Sequence, residues 1–403
     1  MEKWTSSRLS NVELSATYAI LDMVQELRSR GVTVIDMGGG EPDFSTPAHV
    51  AQAAISAIAD GLTHYTPSRG APELLVAIAQ KLAHDNGIRV DPCAEIIVTP
   101  SAKHALFITL MAILSPGDEI IIPTPSWVSY KSMVQLGGAC PIELPLRAED
   151  DFTISGERLA SKLTPRTKAI LINTPNNPTG HALTYEEVST IVEFACRNEL
   201  LIVADEIYEK IIYGDVQHIS IASLPGAADR TLTINGFSKT YAMTGWRLGY
   251  VAGPRNILGE ILKVHQHTVG CASSFVQKGG LAALTGDREP LKTMLTAYSA
   301  RRKLIVDGLN SIPGITCSTP DGAFYAFPDI RGTRLGNSAD FSQWLLKTAG
   351  VAVTPGSAFG SGGEGHVRLS YATSSEVIAD AVERIRRAVL SQSIVDFSIE
   401  AAA

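Results

Sequence analysis

A series of short apolar runs, each closing on turn or polar residues, limits this chain more than any other feature. The runs are "EIIVTPSA", "DEIIIPTPSW", "KAILINTPNNPTG", "LLIVADEIY", "TLTINGFSK" and "LGYVAGP". They are apolar at consecutive positions, without polar alternation, so both faces of each strand must be buried. Helical patterns separate several of them. "KHALFITLMAIL" is one, and "LTYEEVSTIVEFACRNE" is another, opening with Thr184 and Glu187 at capping-box spacing. Strands of this kind alternating with helices specify an α/β fold with a largely parallel sheet covered on both faces. Upstream, "HVAQAAISAIADG" and "PELLVAIAQKLAHDNG" read as amphipathic helices, the second started by Pro72. Downstream, a helix over roughly 287–310 leads into "GAFYAFPDI", "ADFSQWLLKTAG", "VAVTP", "HVRLSYA" and a closing helix, together a smaller α+β unit. "GSAFGSGGEGH" reads as a flexible glycine-rich loop. It lacks the G-K-[ST] ending of a phosphate-binding P-loop, so no nucleotide is expected there.

Composition excludes several classes of partner. The chain has 403 residues, 45% hydrophobic and 19% charged, which fits a globular protein with a large core. Its formal charge of −7 comes without a basic block or stripe, so no nucleic acid partner is expected. No apolar run approaches membrane-spanning length, and the N-terminus shows no secretory h-region. Cys93, Cys140, Cys196, Cys271 and Cys317 are scattered and odd in number, which suits reduced thiols in the cytoplasm and not a disulfide framework or zinc site. No metal is expected. "HQH" at 265–267 is an i, i+2 pair that points to different sides of a helix.

In an open parallel sheet, ligands bind beyond the carboxyl ends of the strands. Ser101, Trp127, Asn177, Asp205, Ser238 and Lys239 sit there. Taken singly, each has an ordinary explanation as a cap, a turn or a core residue; together they describe a site. The stretch "NGFSKTYAMTGWRLGY" sets Lys239 beside Ser238 and brings in Arg247, with Gly245 as the residue expected to turn the backbone. A buried lysine with a lowered pKa can attack a carbonyl. Pyridoxal 5'-phosphate (PLP), held as an imine, uses such a lysine and asks for a phosphate cradle, a carboxylate at the ring nitrogen, a stacking partner and donors to its phenolic oxygen. Asp205 can supply the carboxylate, Tyr208 and Asn177 the phenolic contacts, and Trp127 the stack. Ser238, Arg247 and the helix start at "SAKHA" can hold the phosphate.

The chain resembles the class I, fold-type I, PLP-dependent aminotransferases, in the branch of the bacterial aspartate aminotransferases. "GGGEPDF", "YTPSRG", "PNNPTG", "DEIY", "SKTYAMTGWRLGY" and "HVRLSYA" occur in family order over nearly the full length. The resemblance implies a mostly parallel seven-stranded sheet covered by helices in a large domain, 48–290, and a small domain from 1–47 with 291–403. It implies that Lys239 carries the cofactor and moves the substrate proton, that Asp205 holds the ring nitrogen, and that Tyr208 and Asn177 tune the ring oxygen. Trp127 would stack. Ser238, Arg247 and the amides of Ser101, Ala102 and Lys103 would hold the phosphate. Tyr65 would reach the phosphate of a second copy, making a homodimer with shared sites. Arg368 would clamp the substrate α-carboxylate, assisted by Asn177 and the backbone at Gly40. The reaction implied is a ping-pong exchange between an L-amino acid and a 2-oxo acid such as 2-oxoglutarate.

Thr17 and Lys103 match family positions that receive a distal carboxylate, so an acidic donor such as aspartate is expected. Cys271-Ala272 stand where the family has Ser-Pro or Asn-Pro, in a segment bordering the partner's site, which leaves aromatic, prephenate and basic donors open. A PLP-dependent C–S lyase on the same fold is a further alternative, separated by its independence of an oxo acid. The segment before "GGGEPDF" is too short for a helix-turn-helix module, which sets aside a ligand-sensing regulator.

Overall fold

A computed structural model of the chain describes residues 4–10, 12–14 and 16–400, without the side chains of residues 7, 16–19, 21 and 393–400. Its strands are β1 (Ile35–Asp36), β2 (Ile96–Thr99), β3 (Glu119–Thr124), β4 (Cys140–Pro145), β5 (Thr167–Asn173), β6 (Leu201–Asp205), β7 (Thr231–Gly236), β8 (Gly249–Ala252), β9 (Tyr325–Ala326), β10 (Val351–Ala352), β11 (Thr354–Pro355) and β12 (Val367–Ser370). The first helices are α1 (Ala16–Ser29), α2 (Ala48–Ala59), α3 (Pro72–Asp85), α4 (Ala102–Ile113), α5 (Ser129–Leu136), α6 (Gly156–Ala160) and α7 (Tyr185–Arg197). They are followed by α8 (Arg255–Thr268), α9 (Ser274–Thr285), α10 (Glu289–Asn310), α11 (Ser338–Ala349) and α12 (Ser375–Glu400).

Seven strands form one sheet in the order β2-β8-β7-β6-β5-β3-β4. The β7–β6–β5–β3–β4 pairs are parallel, and β8 alone runs backwards between β7 and β2. The apolar runs explain why: on β3, β5 and β6, alternate side chains enter two different cores. Ile122, Leu171 and Val203 pack on one face, Ile121, Ile170 and Ile202 on the other. Helix α7 begins with the full reciprocal capping box, Thr184 Oγ1 accepting from the Glu187 amide and the Glu187 carboxylate accepting from the Thr184 amide. Pro72 opens α3. On α8, His265 is fully buried and His267 exposed, as an i, i+2 spacing requires.

Two smaller sheets complete the architecture. β11-β12-β9 is antiparallel, and β1 pairs in parallel with β10, which joins the beginning of the chain to its end. Among the described residues no helix is long and apolar enough to cross a membrane. β4 escaped the sequence pattern: it is an edge strand, partly exposed and bounded by prolines. The glycine-rich stretch 356–365 differs from the flexible loop expected. It folds into two short 3-10 turns, and a Cβ at Gly362 would lie 2.2 Å from the Thr124 carbonyl oxygen, so these glycines serve close packing against the end of β3.

Gly249, the first residue of β8, touches the start of α4 so closely that a Cβ there would lie 2.2 Å from the Ala102 amide nitrogen. Both contacts are backbone, so neither side can yield by a rotamer change. Gly249→Ala is expected to destabilise the protein by about 1–3 kcal/mol through overpacking. A thermal unfolding midpoint equal to that of the parent would show that β8 and α4 part without cost.

Candidate functional site

Because β2, β3, β5, β6 and β7 run the same way, their carboxyl ends reach one edge of the sheet, and the antiparallel β8 starts from that edge just after Arg247. A cavity of about 650 Å³ opens there. Gly40, Ser101, Ala102, Lys103, Trp127, Asn177, Asp205, Tyr208, Ser238, Lys239, Arg247 and Arg368 all line it. Tyr65 does not: it is 96% exposed on the outer surface. Thr17 lies on α1, its side chain outside the described residues.

Lys239 follows β7, and its ammonium donates to the Gly40 carbonyl oxygen. Burial lowers its pKa to about 8; the Glu41 carboxylate opposes the shift, Arg368 and Arg247 reinforce it, and Asp205 opposes it. Asp205, 4% exposed at the end of β6, is pushed up to about 6 by burial, with Glu206 adding to the effect. The Tyr130 hydroxyl donates to Oδ2 at 2.7 Å and the Ile207 amide to Oδ1 at 3.2 Å, and these donors hold the carboxylate's charge against desolvation. Near neutrality the lysine therefore has a reactive minority form while the carboxylate stays ionised.

Arg368, on β12, is 2% exposed. Its Nη1 donates to Asn177 Oδ1 at 3.0 Å and its Nη2 to the Gly38 carbonyl at 2.6 Å and Thr354 Oγ1 at 3.5 Å. All three acceptors are neutral, and Nε is buried without a partner. The guanidinium lies over the Tyr325 ring, 4.5 Å from its centroid. Tyr208 is 3% exposed, and its hydroxyl meets the Tyr325 hydroxyl at 2.9 Å.

At the opposite wall, α4 points its N-terminus into the cavity. Ser101 caps it with φ 95°, its Oγ accepting from the His104 amide at 3.3 Å. The Ser101 amide is itself donated to the Thr99 carbonyl at 2.8 Å, so this residue's donor toward the cavity is its hydroxyl. Lys103 sets its ammonium 4.8 Å from the Trp127 ring centroid, and burial followed by the Arg247 charge lowers its pKa. Arg247 donates from Nη1 to the Thr244 carbonyl at 2.6 Å. Gly245 is not the residue that turns this loop. Positive φ falls on Ala242 (51°) and Arg247 (55°), conformations stabilised by the surrounding contacts.

The cavity residues that were not anticipated include Asp36, Glu41, Tyr130 and Tyr325. Tyr130 lay within reach of the sequence, one helical turn past Trp127 in "PSWVSY". Asp36 and Tyr325 come from small sheets whose docking no local pattern reveals. Past the end of β6, Glu206 and Glu209 are buried next to a half-buried His218, and Lys81 and Asn86 donate to Glu209.

Comparison with known proteins matches residues 32–385 to the family model of class I and II aminotransferases. An aspartate aminotransferase of Musicola paradisiaca is 52% identical, the match covering 95% of this chain and 96% of that one. One from Geobacillus stearothermophilus is 45% identical over 95% and 98%. Among solved structures, the aspartate aminotransferase from Thermus thermophilus with maleate superposes with a TM-score of 0.91 at 40% identity, covering 95% of this chain and 99% of that one. An aromatic aminotransferase from Pyrococcus horikoshii gives 0.88 at 45% identity, over 92% and 99%.

With a pKa of about 8, about a tenth of Lys239 is neutral at pH 7, several hundred times the fraction of an ordinary lysine. Acylation of the unliganded protein by a small amine reagent, followed per residue by mass spectrometry, should give Lys239 a midpoint near pH 8. A midpoint near 10.5 would refute the depressed value.

Proposed function

The chain belongs to the class I and II aminotransferases, and from that premise we propose that it binds PLP at Lys239 and transfers the amino group of aspartate to a 2-oxo acid such as 2-oxoglutarate. The observation that carries this reading is the buried Arg368 guanidinium, which meets only neutral acceptors among the described residues. A desolvated cation of this kind calls for an anion in the cavity it faces, and a carboxylate accepts two parallel bonds from its fork.

The remaining residues suit the cofactor. Asp205 is a buried carboxylate able to face a protonated ring nitrogen, and Ser238 and Arg247 line the cavity beside the N-terminus of α4, where a phosphate would find donors. PLP, when bound, supplies the electron sink that stabilises negative charge at the substrate α-carbon. Asn177, Tyr208 and Trp127 would orient its ring, and the Ser101 hydroxyl with the α4 start at Ala102 and Lys103 would hold its phosphate. Lys239 would hold the cofactor and, as a free amine, would move the proton at the substrate α-carbon. Arg368, with Asn177 and the Gly40 backbone, would hold the α-carboxylate so that the α-hydrogen faces that amine. The depressed pKa of Lys239 suits that amine to general base work near neutrality.

Lys103 and Thr17 are assigned to the distal carboxylate of an acidic donor, supported by the names of the relatives. A homodimer fits the apolar side chains left outside, Ile55, Ile58 and Leu62, together with the protruding Tyr65. A large unit over 48–290 and a small one from 1–47 with 291–403 accord with the β1–β10 pairing. The five cysteines are unpaired, which suits the cytoplasm.

Steady-state rates with aspartate, glutamate, aromatic and basic donors against 2-oxoglutarate test the substrate. Aspartate should give the highest kcat/KM; an aromatic donor ahead of it would overturn the acidic preference, and turnover without any oxo acid would indicate a lyase. Arg368→Ala should raise KM for donor and acceptor about 100-fold through loss of a buried charged contact. Unchanged KM would remove Arg368 from the substrate.

A further inference from the structure

Tyr325 touches both halves of the site. It stands on β9, paired with Ser370 two residues from Arg368, and is 1% exposed. Its ring face lies 4.5 Å from the Arg368 guanidinium carbon, while its hydroxyl lies 2.9 Å from the Tyr208 hydroxyl. The same hydroxyl is 3.3 Å from where a side chain at Gly40 would begin, so it is also packed against the glycine run.

We propose that Tyr325 is a positioning residue for transamination, its hydroxyl aiming Tyr208 at the cofactor's phenolic oxygen and its ring fixing the plane of the Arg368 fork. This rests on the PLP reading of the site. Each phenol has one proton, and either hydroxyl can donate within the pair. If Tyr208 gives its proton to the phenolic oxygen, the bond between the tyrosines survives only with Tyr325 as donor. Donation into the Tyr208 oxygen then turns the Tyr208 proton toward the cofactor and strengthens it as a donor. The ring has a separate task. Arg368 Nη1 and Nη2 donate to Asn177, Gly38 and Thr354 while Nε has no partner, and the Tyr325 ring at 4.5 Å is the nearer of two aromatic rings, with Phe359 at 5.1 Å, that hold the guanidinium's plane.

The two contacts separate experimentally. In the holoenzyme, Tyr325→Phe keeps the ring and removes the hydroxyl. Weaker donation to the phenolic oxygen disfavours its anionic form, so the pH midpoint of the bound cofactor's visible absorption change should rise by about half a unit to one unit, the size of one neutral hydrogen bond. KM for the amino acid should stay within about twofold, since the ring remains beneath the guanidinium. A midpoint unmoved by Tyr325→Phe overturns the proposal. So does an equal shift when the change is made in a Tyr208→Phe background, because the effect would then bypass Tyr208. Tyr325→Met, whose flexible chain fills much of the ring's volume, should in addition raise KM about tenfold by loss of a desolvated cation–π contact. KM equal to that of Tyr325→Phe would overturn the role of the ring. Parent protein that takes up PLP without any visible band would instead defeat the underlying reading of Lys239.

Discussion

A guanidinium sealed from water must be balanced by negative charge, and this requirement at Arg368 organises the molecule around it. Its partners come from far apart in the sequence: Gly38 from the segment after β1, Thr354 from β11 and Asn177 from the loop after β5. Backbone and side-chain contacts orient this cation, and among the described residues none of its hydrogen-bond acceptors is charged.

The same cavity sets two other groups away from their aqueous behaviour, in opposite directions. Burial is the first cause in both cases, lowering Lys239 and raising Asp205. The sheet makes this possible. β6 and β7 are neighbours, in parallel, with Asp205 opposite Ile234, so the carboxylate and the lysine leave adjacent strand ends and face the same enclosed space. Tyr130 then restrains the carboxylate's rise by donating to it, so the charge stays within reach of neutral pH.

Much of this was legible in the sequence where local pattern and site chemistry coincide. Continuous apolar runs marked β2, β3, β5, β6, β7 and β8, and the residues at their ends, from Ser101 to Arg247, converge on the cavity. Thr184 and Glu187 announced α7 outright. What escaped depends on tertiary packing. β4 is a proline-bounded edge strand, the 356–365 glycines read as looseness although they permit close contact, and Gly245 received a turning role that Ala242 and Arg247 perform. Tyr325 and Asp36 escaped because small sheets bring them in, and two-residue strands carry no period.

The pairing of β1 with β10, and the reach of Gly38 to Arg368, has a consequence for the order of events during translation. The glycine run leaves the ribosome early and must wait for a partner encoded near the C-terminus, while Lys239 and the central sheet are made in between. The cavity around Lys239 is therefore completed only after the strand bearing Arg368 has been made. A nascent fragment that already contains the lysine still lacks the guanidinium that lines the same cavity.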